Sequence, residues 1–96
     1  MRVQILEEAE QDLLDGFAFY ESQGEGLGGY FLDSLFSDID SLQLYAGIHS
    51  RHFGYHRLLA RRFPYAIYYR VVGETVRAYA VLDCRRDPAR IQDRLG

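Results

Sequence analysis

Hydrophobic positions recur along this chain at two spacings, and the change between them divides the sequence near its middle. Residues 2–6, RVQIL, alternate and are β-prone, which predicts a short strand. From Glu7 to Gln23, Ala9, Leu13, Phe17 and Tyr20 fall on one helical stripe. Acids crowd the first turn of that helix, where its dipole favours them. The run GEGLGG at 24–29 breaks it. Phe31, Leu35, Ile39 and Leu42 resume the spacing and predict a second helix over Leu27–Tyr45, antiparallel to the first.

Past a loop at Gly47–Gly54 the period becomes two. Strands are expected at Tyr55–Arg61, Tyr65–Val72 and Thr75–Arg85, with Phe63-Pro64 separating the first two. Gly73-Glu74 has the form of a two-residue hairpin turn with glycine first. Asp87 then reads as an N-cap with Pro88 at the first position of a short helix, Ala89–Leu95. The order strand, helix, helix, three strands, short helix predicts an α+β fold in one small domain, 1–96. A helical hairpin would pack on one face of an antiparallel sheet, with a short C-terminal helix after it.

The hairpin turn sets a register. Val72 should face Thr75, Arg70 face Arg77, Tyr68 face Tyr79 and Ala66 face Val81. Tyr65, Ile67, Tyr69 and Val71, with Val76, Ala78, Ala80 and Leu82, make the apolar face expected beneath the helices. The other face would stay open and display arginine and tyrosine. Arg70 directly across from Arg77 is locally unfavourable, because like charges repel across strands. Stacking on Tyr68 and Tyr79 would offset this by about 0.5–1 kcal/mol.

Charge sharpens the picture. The net charge is -3, but residues 1–50 hold ten acids and one arginine, whereas 51–96 hold ten arginines and four acids. There is no lysine. Arginine forks onto carboxylates and phosphates and stacks on rings, so the basic half suits an acidic protein surface or nucleic acid. Arg70, Arg77, Tyr68, Tyr79, Arg85, Arg86, Arg61 and Arg62 are the candidate binding residues. His49, His52 and His56 lack metal-ligand spacing, so neither metal nor cofactor is expected. Cys84, the single cysteine, cannot form an internal disulfide, and its parity places it toward the core. No apolar run suits a transmembrane helix, no signal peptide is apparent, and the chain reads as cytoplasmic.

The segments EEAEQDLLDGFAFYESQ, GLGGYFLDSLFSDIDSL, RRFPYAIYYRV and VRAYAVLDCRRDP resemble the RelE/ParE superfamily of bacterial type II toxins over nearly the whole chain. FPYxIYY and RRDP are the more specific pieces. The resemblance implies a small toxin held inactive by a cognate antitoxin in a hetero-oligomeric complex. One branch of the superfamily cleaves messenger RNA on the ribosome, and the ParE-like branch inhibits DNA gyrase. Ribonuclease members typically carry arginine where Ala66 stands, and tyrosine or histidine near Ile91. Arg85 does match a basic position of that branch. The resemblance therefore favours a ParE-like gyrase inhibitor with no catalytic residue. The alternative is a ribosome-dependent endoribonuclease using Arg85, Arg61 and Arg62.

Overall fold

The computed structural model describes all 96 residues. Strand β1 (Arg2–Ile5) leads into helix α1 (Glu7–Glu21), helix α2 (Leu27–Asp40) and a single turn, α3 (Leu42–Tyr45). Strands β2 (Arg51–His52), β3 (Tyr55–Leu59), β4 (Tyr65–Val72) and β5 (Thr75–Asp83) follow, then helix α4 (Pro88–Leu95). They form a five-stranded sheet in the order β1-β5-β4-β3-β2. β3, β4 and β5 are antiparallel as expected, and β2, in the segment expected to be a loop, adds a short antiparallel strand beside β3. β1 pairs with β5 in parallel, so the sheet is mixed. No helix is long and apolar enough to cross a membrane.

The helical hairpin crosses closely because glycine sits at the contact. A Cβ on Gly16 would lie 2.5 Å from the Phe31 ring, and one on Gly28 would lie 2.7 Å from the Phe17 ring. Glu21 fixes the turn between the helices: its carboxylate accepts from Gly26 N at 3.1 Å and Gly28 N at 2.9 Å, satisfying amides at the start of α2. The predicted second helix breaks at Ser41, whose hydroxyl donates to Asp38 O. Ala9, Leu13, Phe31, Leu35 and Ile39 then pack on Ile67, Tyr69, Val76, Ala78 and Val81, the main core.

The register follows the predicted hairpin only part of the way. Val72 pairs with Thr75 and Arg70 with Arg77, and Gly73 adopts φ +62° in the turn. After Tyr69↔Ala78 the ladder slips: Tyr68 pairs with Ala80 and Ala66 with Leu82. Tyr79 is the extra residue of a β-bulge. Beyond it every side chain changes face. Val81 enters the main core, while Ala80 and Leu82 turn to the opposite side. The expected pairs Tyr68–Tyr79 and Ala66–Val81 therefore do not form.

That opposite side is not open along its whole length. α4 lies across it, and Ile91 and Leu95 pack with Tyr55, Ala66, Tyr68, Ala80 and Leu82 in a second apolar cluster. Asp87 caps the helix by accepting from Ala89 N at 2.9 Å, with Pro88 in the first turn.

One clasp joins the two sides. β1 ends at Ile5, opposite Ala78, so the outer edge of β5 beyond that point has no strand neighbour. There the Asp12 carboxylate of α1 accepts the Val81 amide at 2.9 Å. Arg94 of α4 grips the same carboxylate with both Nη atoms, at 2.7 and 2.8 Å, and places Nε 3.1 Å from Glu8. The Asp12 side chain is only 10% exposed. Removing it leaves a part-buried guanidinium and a strand amide without their partner. Asp12→Ala should therefore cost about 3 kcal/mol in urea-unfolding free energy. Arg94→Ala should cost less, and the double variant less than the sum of the two. A loss below about 1 kcal/mol for Asp12→Ala would show the clasp to be ornamental.

Candidate functional site

The half of the outer sheet face that α4 leaves uncovered lies toward the Gly73 turn. Arg70 of β4 and Arg77 of β5 stand side by side there as a cross-strand pair. Arg70 is exposed and its guanidinium carbon lies 3.9 Å above the Tyr55 ring and 5.5 Å from the Tyr79 ring. Its Nε donates to Gly54 O at 3.3 Å. Tyr55 and Tyr79 meet edge-on, with centroids 5.2 Å apart. The bulge makes this possible by keeping the Tyr79 ring beside Arg77 rather than opposite Tyr68.

Arg77 is half-buried, and its Nε is sealed from solvent without an acceptor. Neither Arg70 nor Arg77 comes within 4 Å of a carboxylate. Tyr68, expected on display, is 2% exposed beneath α4 and leaves the candidate surface. The ring that carries Arg70 is instead Tyr55, which sequence reasoning missed. Tyr55 belongs to β3, and no local pattern ties that strand to the far hairpin.

Beside the guanidinium pair lies a cleft of about 720 Å³, lined by Tyr55, Tyr79, Leu6, Leu95, Arg94 and the start of α1 at Glu7, Glu8 and Gln11. The Tyr55 hydroxyl donates to Leu95 O at 3.3 Å, tying the cleft wall to α4. The rings beneath Arg70 thus also line this cleft.

The remaining candidates are dispersed. Arg61 sits at the end of β3 on the helical side, where buried Asp38 accepts its backbone amide at 3.1 Å and its Nε at 3.3 Å. Arg85 folds back on Asp83, with Nη2–Oδ2 at 2.7 Å. That hydrogen bond is the main reason the Asp83 carboxyl is held below its ordinary pKa and the Arg85 guanidinium above its own. Arg62 and Arg86 are exposed without an ion pair. Ala66 and Ile91 are buried in the α4 cluster.

A chain of the chromosomal ParDE TA system from P. aeruginosa has a similar structure, with TM-score 0.77 and 21% sequence identity over 84% of this chain and 92% of that one. This chain has a ParE-like fold. No family model and no curated protein matches its sequence.

Two sequence features outside the arginine face resolve differently. Cys84 is exposed, not core-facing, because the bulge reverses its parity. Partial desolvation still raises its thiol pKa, against the lowering effect of nearby Arg57. The histidines do not gather around a metal position. Instead they latch the loop before β3. The buried Tyr69 hydroxyl accepts the Gly47 amide at 2.9 Å and bonds His49 Nδ1. His56 stacks on Tyr69, and its Nδ1 donates to His49 O at 2.7 Å.

Burial first, and the neighbouring His56 second, lower the His49 pKa from 6.5. A neutral ring whose Nδ1 is unprotonated can accept the Tyr69 proton. A protonated ring would leave that hydroxyl without an acceptor. Because the folded pKa is the lower one, the latch contributes fully above the unfolded value of 6.5 and weakens as pH falls from there toward the folded value. Thermal unfolding followed between about pH 7 and pH 5 should show a fall in midpoint that His49→Gln reduces. Equal slopes for the two proteins would exclude His49 as the titrating group.

Proposed function

We propose that this protein is the toxin of a bacterial type II toxin–antitoxin system, acting in the cytoplasm by binding DNA gyrase. A cognate antitoxin would neutralise it in a hetero-oligomeric complex, with residues 1–96 acting as one toxin domain. The ParE-like fold supports the toxin reading, since the ParDE chain it resembles belongs to such a system. The binding surface would include Arg70, Arg77 and Tyr79, while exposed Arg62 and Arg86 lie toward the other end of the strands.

The observation that favours binding over RNA cleavage is the apolar contact at Ala66 and Ile91. These are the positions where the resemblance places a catalytic arginine and a proton-transferring ring in ribonuclease members. Here Ala66 is fully buried and packs in the same cluster as Ile91. Cleavage through a ribose 2′-hydroxyl needs charge stabilisation at the phosphate and a group to move the proton. Two of the cations left for that task, Arg85 and Arg61, are engaged by Asp83 and Asp38.

The test is a pair of assays on the purified protein. Gyrase supercoiling should be blocked and gyrase-cut DNA should accumulate, while messenger RNA in a translating extract stays intact. Normal supercoiling at a large molar excess of toxin would overturn the gyrase reading. Message cleavage weakened by Arg85→Ala would replace it with the ribonuclease one. Unimpaired growth of cells expressing the protein without antitoxin would remove both.

A further inference from the structure

Resting on the toxin reading, we propose that the Tyr55–Tyr79 cleft and the Arg70–Arg77 pair form one docking site. Its occupant is an antitoxin segment that places an apolar side chain between two carboxylates. Three observations carry the proposal. The first is an excess of donors over acceptors. The Arg77 side chain makes no hydrogen bond within the protein and its Nε is sealed from water, while the Arg70 side chain makes one, to Gly54 O. Half-burying a guanidinium beside a like charge is unfavourable unless an anion completes the arrangement.

The second is continuity. Arg70 lies over the rings of Tyr55 and Tyr79, and those rings line the neighbouring cleft with Leu6 and Leu95. A segment seated there meets apolar surface and cations within one short stretch of chain, as coupled folding and binding requires.

The third concerns the sign and extent of the anion. Glu7 and Glu8 line the cleft on the α1 side, and the apolar seat of α4 bounds the pair on another. The whole chain carries -3. A long polyanion meets repulsion at that rim, whereas isolated carboxylates on a peptide do not need a continuous cationic track.

The test uses the intact protein and three fluorescein-labelled probes read by anisotropy: a peptide alternating aspartate with leucine, the same peptide with lysine for aspartate, and oligothymidylate. The aspartate peptide should bind most tightly, and its affinity should fall as salt rises. The double variant Arg70→Gln, Arg77→Gln should weaken it at least about tenfold, with circular dichroism and thermal unfolding unchanged. Undiminished binding by a folded double variant, salt-insensitive binding by the wild-type protein, or tighter binding of oligothymidylate or of the lysine peptide would each overturn the docking site.

The supercoiling assay separates this from the toxin reading. Gyrase inhibition without peptide binding condemns the docking site alone. Peptide binding by a protein that spares both gyrase and messenger RNA condemns the toxin reading alone.

Discussion

An amide on the free margin of β5 has to find an acceptor, and the rest of the architecture is organised around how it does so. The extra residue at Tyr79 pushes β5 out of step with β4 where β1 has already ended. A backbone N–H left unpaired there would cost about 1–3 kcal/mol if shielded from water. Asp12 supplies the acceptor from α1. A carboxylate brought into that half-buried place is itself unfavourable, and the forked Arg94 contact from α4 offsets it. One ion pair thus holds helix, strand edge and C-terminal helix in fixed relation. It also closes an exposed strand margin that would otherwise template pairing with another chain.

The bulge explains which parts of the fold were legible. Hydrophobic spacing located β1, the helical hairpin and the three long strands, and the Asp87-Pro88 cap located α4, while β2 fell in a segment read as a loop. The turn at Gly73 is local, so counting outward from it gave Arg70 opposite Arg77 correctly. The count failed at Tyr79 for a physical reason. From Ala78 to Leu82 the residues are Ala, Tyr, Ala, Val and Leu, with no charged side chain to mark which face meets water. Either parity buries apolar groups, so alternation carries no information there. The reversal sent Val81 inward and Ala80 and Leu82 outward, and so created the seat for α4. The start of α4 was readable from Asp87 and Pro88, but the surface that receives its Ile91 and Leu95 was not. Asp12 looked like one more acid favoured near the start of α1, and nothing in its neighbourhood marked it as the group that reaches a strand.

The separation of charge along the sequence does not survive folding as a separation in space. Arg61 returns to Asp38 on α2, and Arg94 to Asp12 and Glu8 on α1, so cations from the basic half neutralise acids from the acidic half. Arg85 is satisfied by Asp83 within its own turn. Arg70 and Arg77 sit where no acid of either helix reaches. The repulsion between them persists because Arg70 spreads over Tyr55 and Tyr79, which stabilise a cation through their ring faces.

The groups whose titration is displaced lie away from that face. A proton-transferring site needs groups poised near neutral pH. The side chains that are displaced move the other way. Burial pushes Tyr65 up to about 12, with Tyr20 and Asp83 adding to the effect. Burial also raises Tyr68 and Cys84, in each case against the nearby charge of Arg57. His49 is held neutral and occupied by the Tyr69 latch. Tyr65 and the Tyr69 latch belong to the helical side of the sheet and Tyr68 lies beneath α4, so these shifts arise from packing rather than from the arginine face. The charge of the face itself is left to the rings of Tyr55 and Tyr79 and to the Gly54 carbonyl, which meet Arg70 while Arg77 keeps an unpaired Nε.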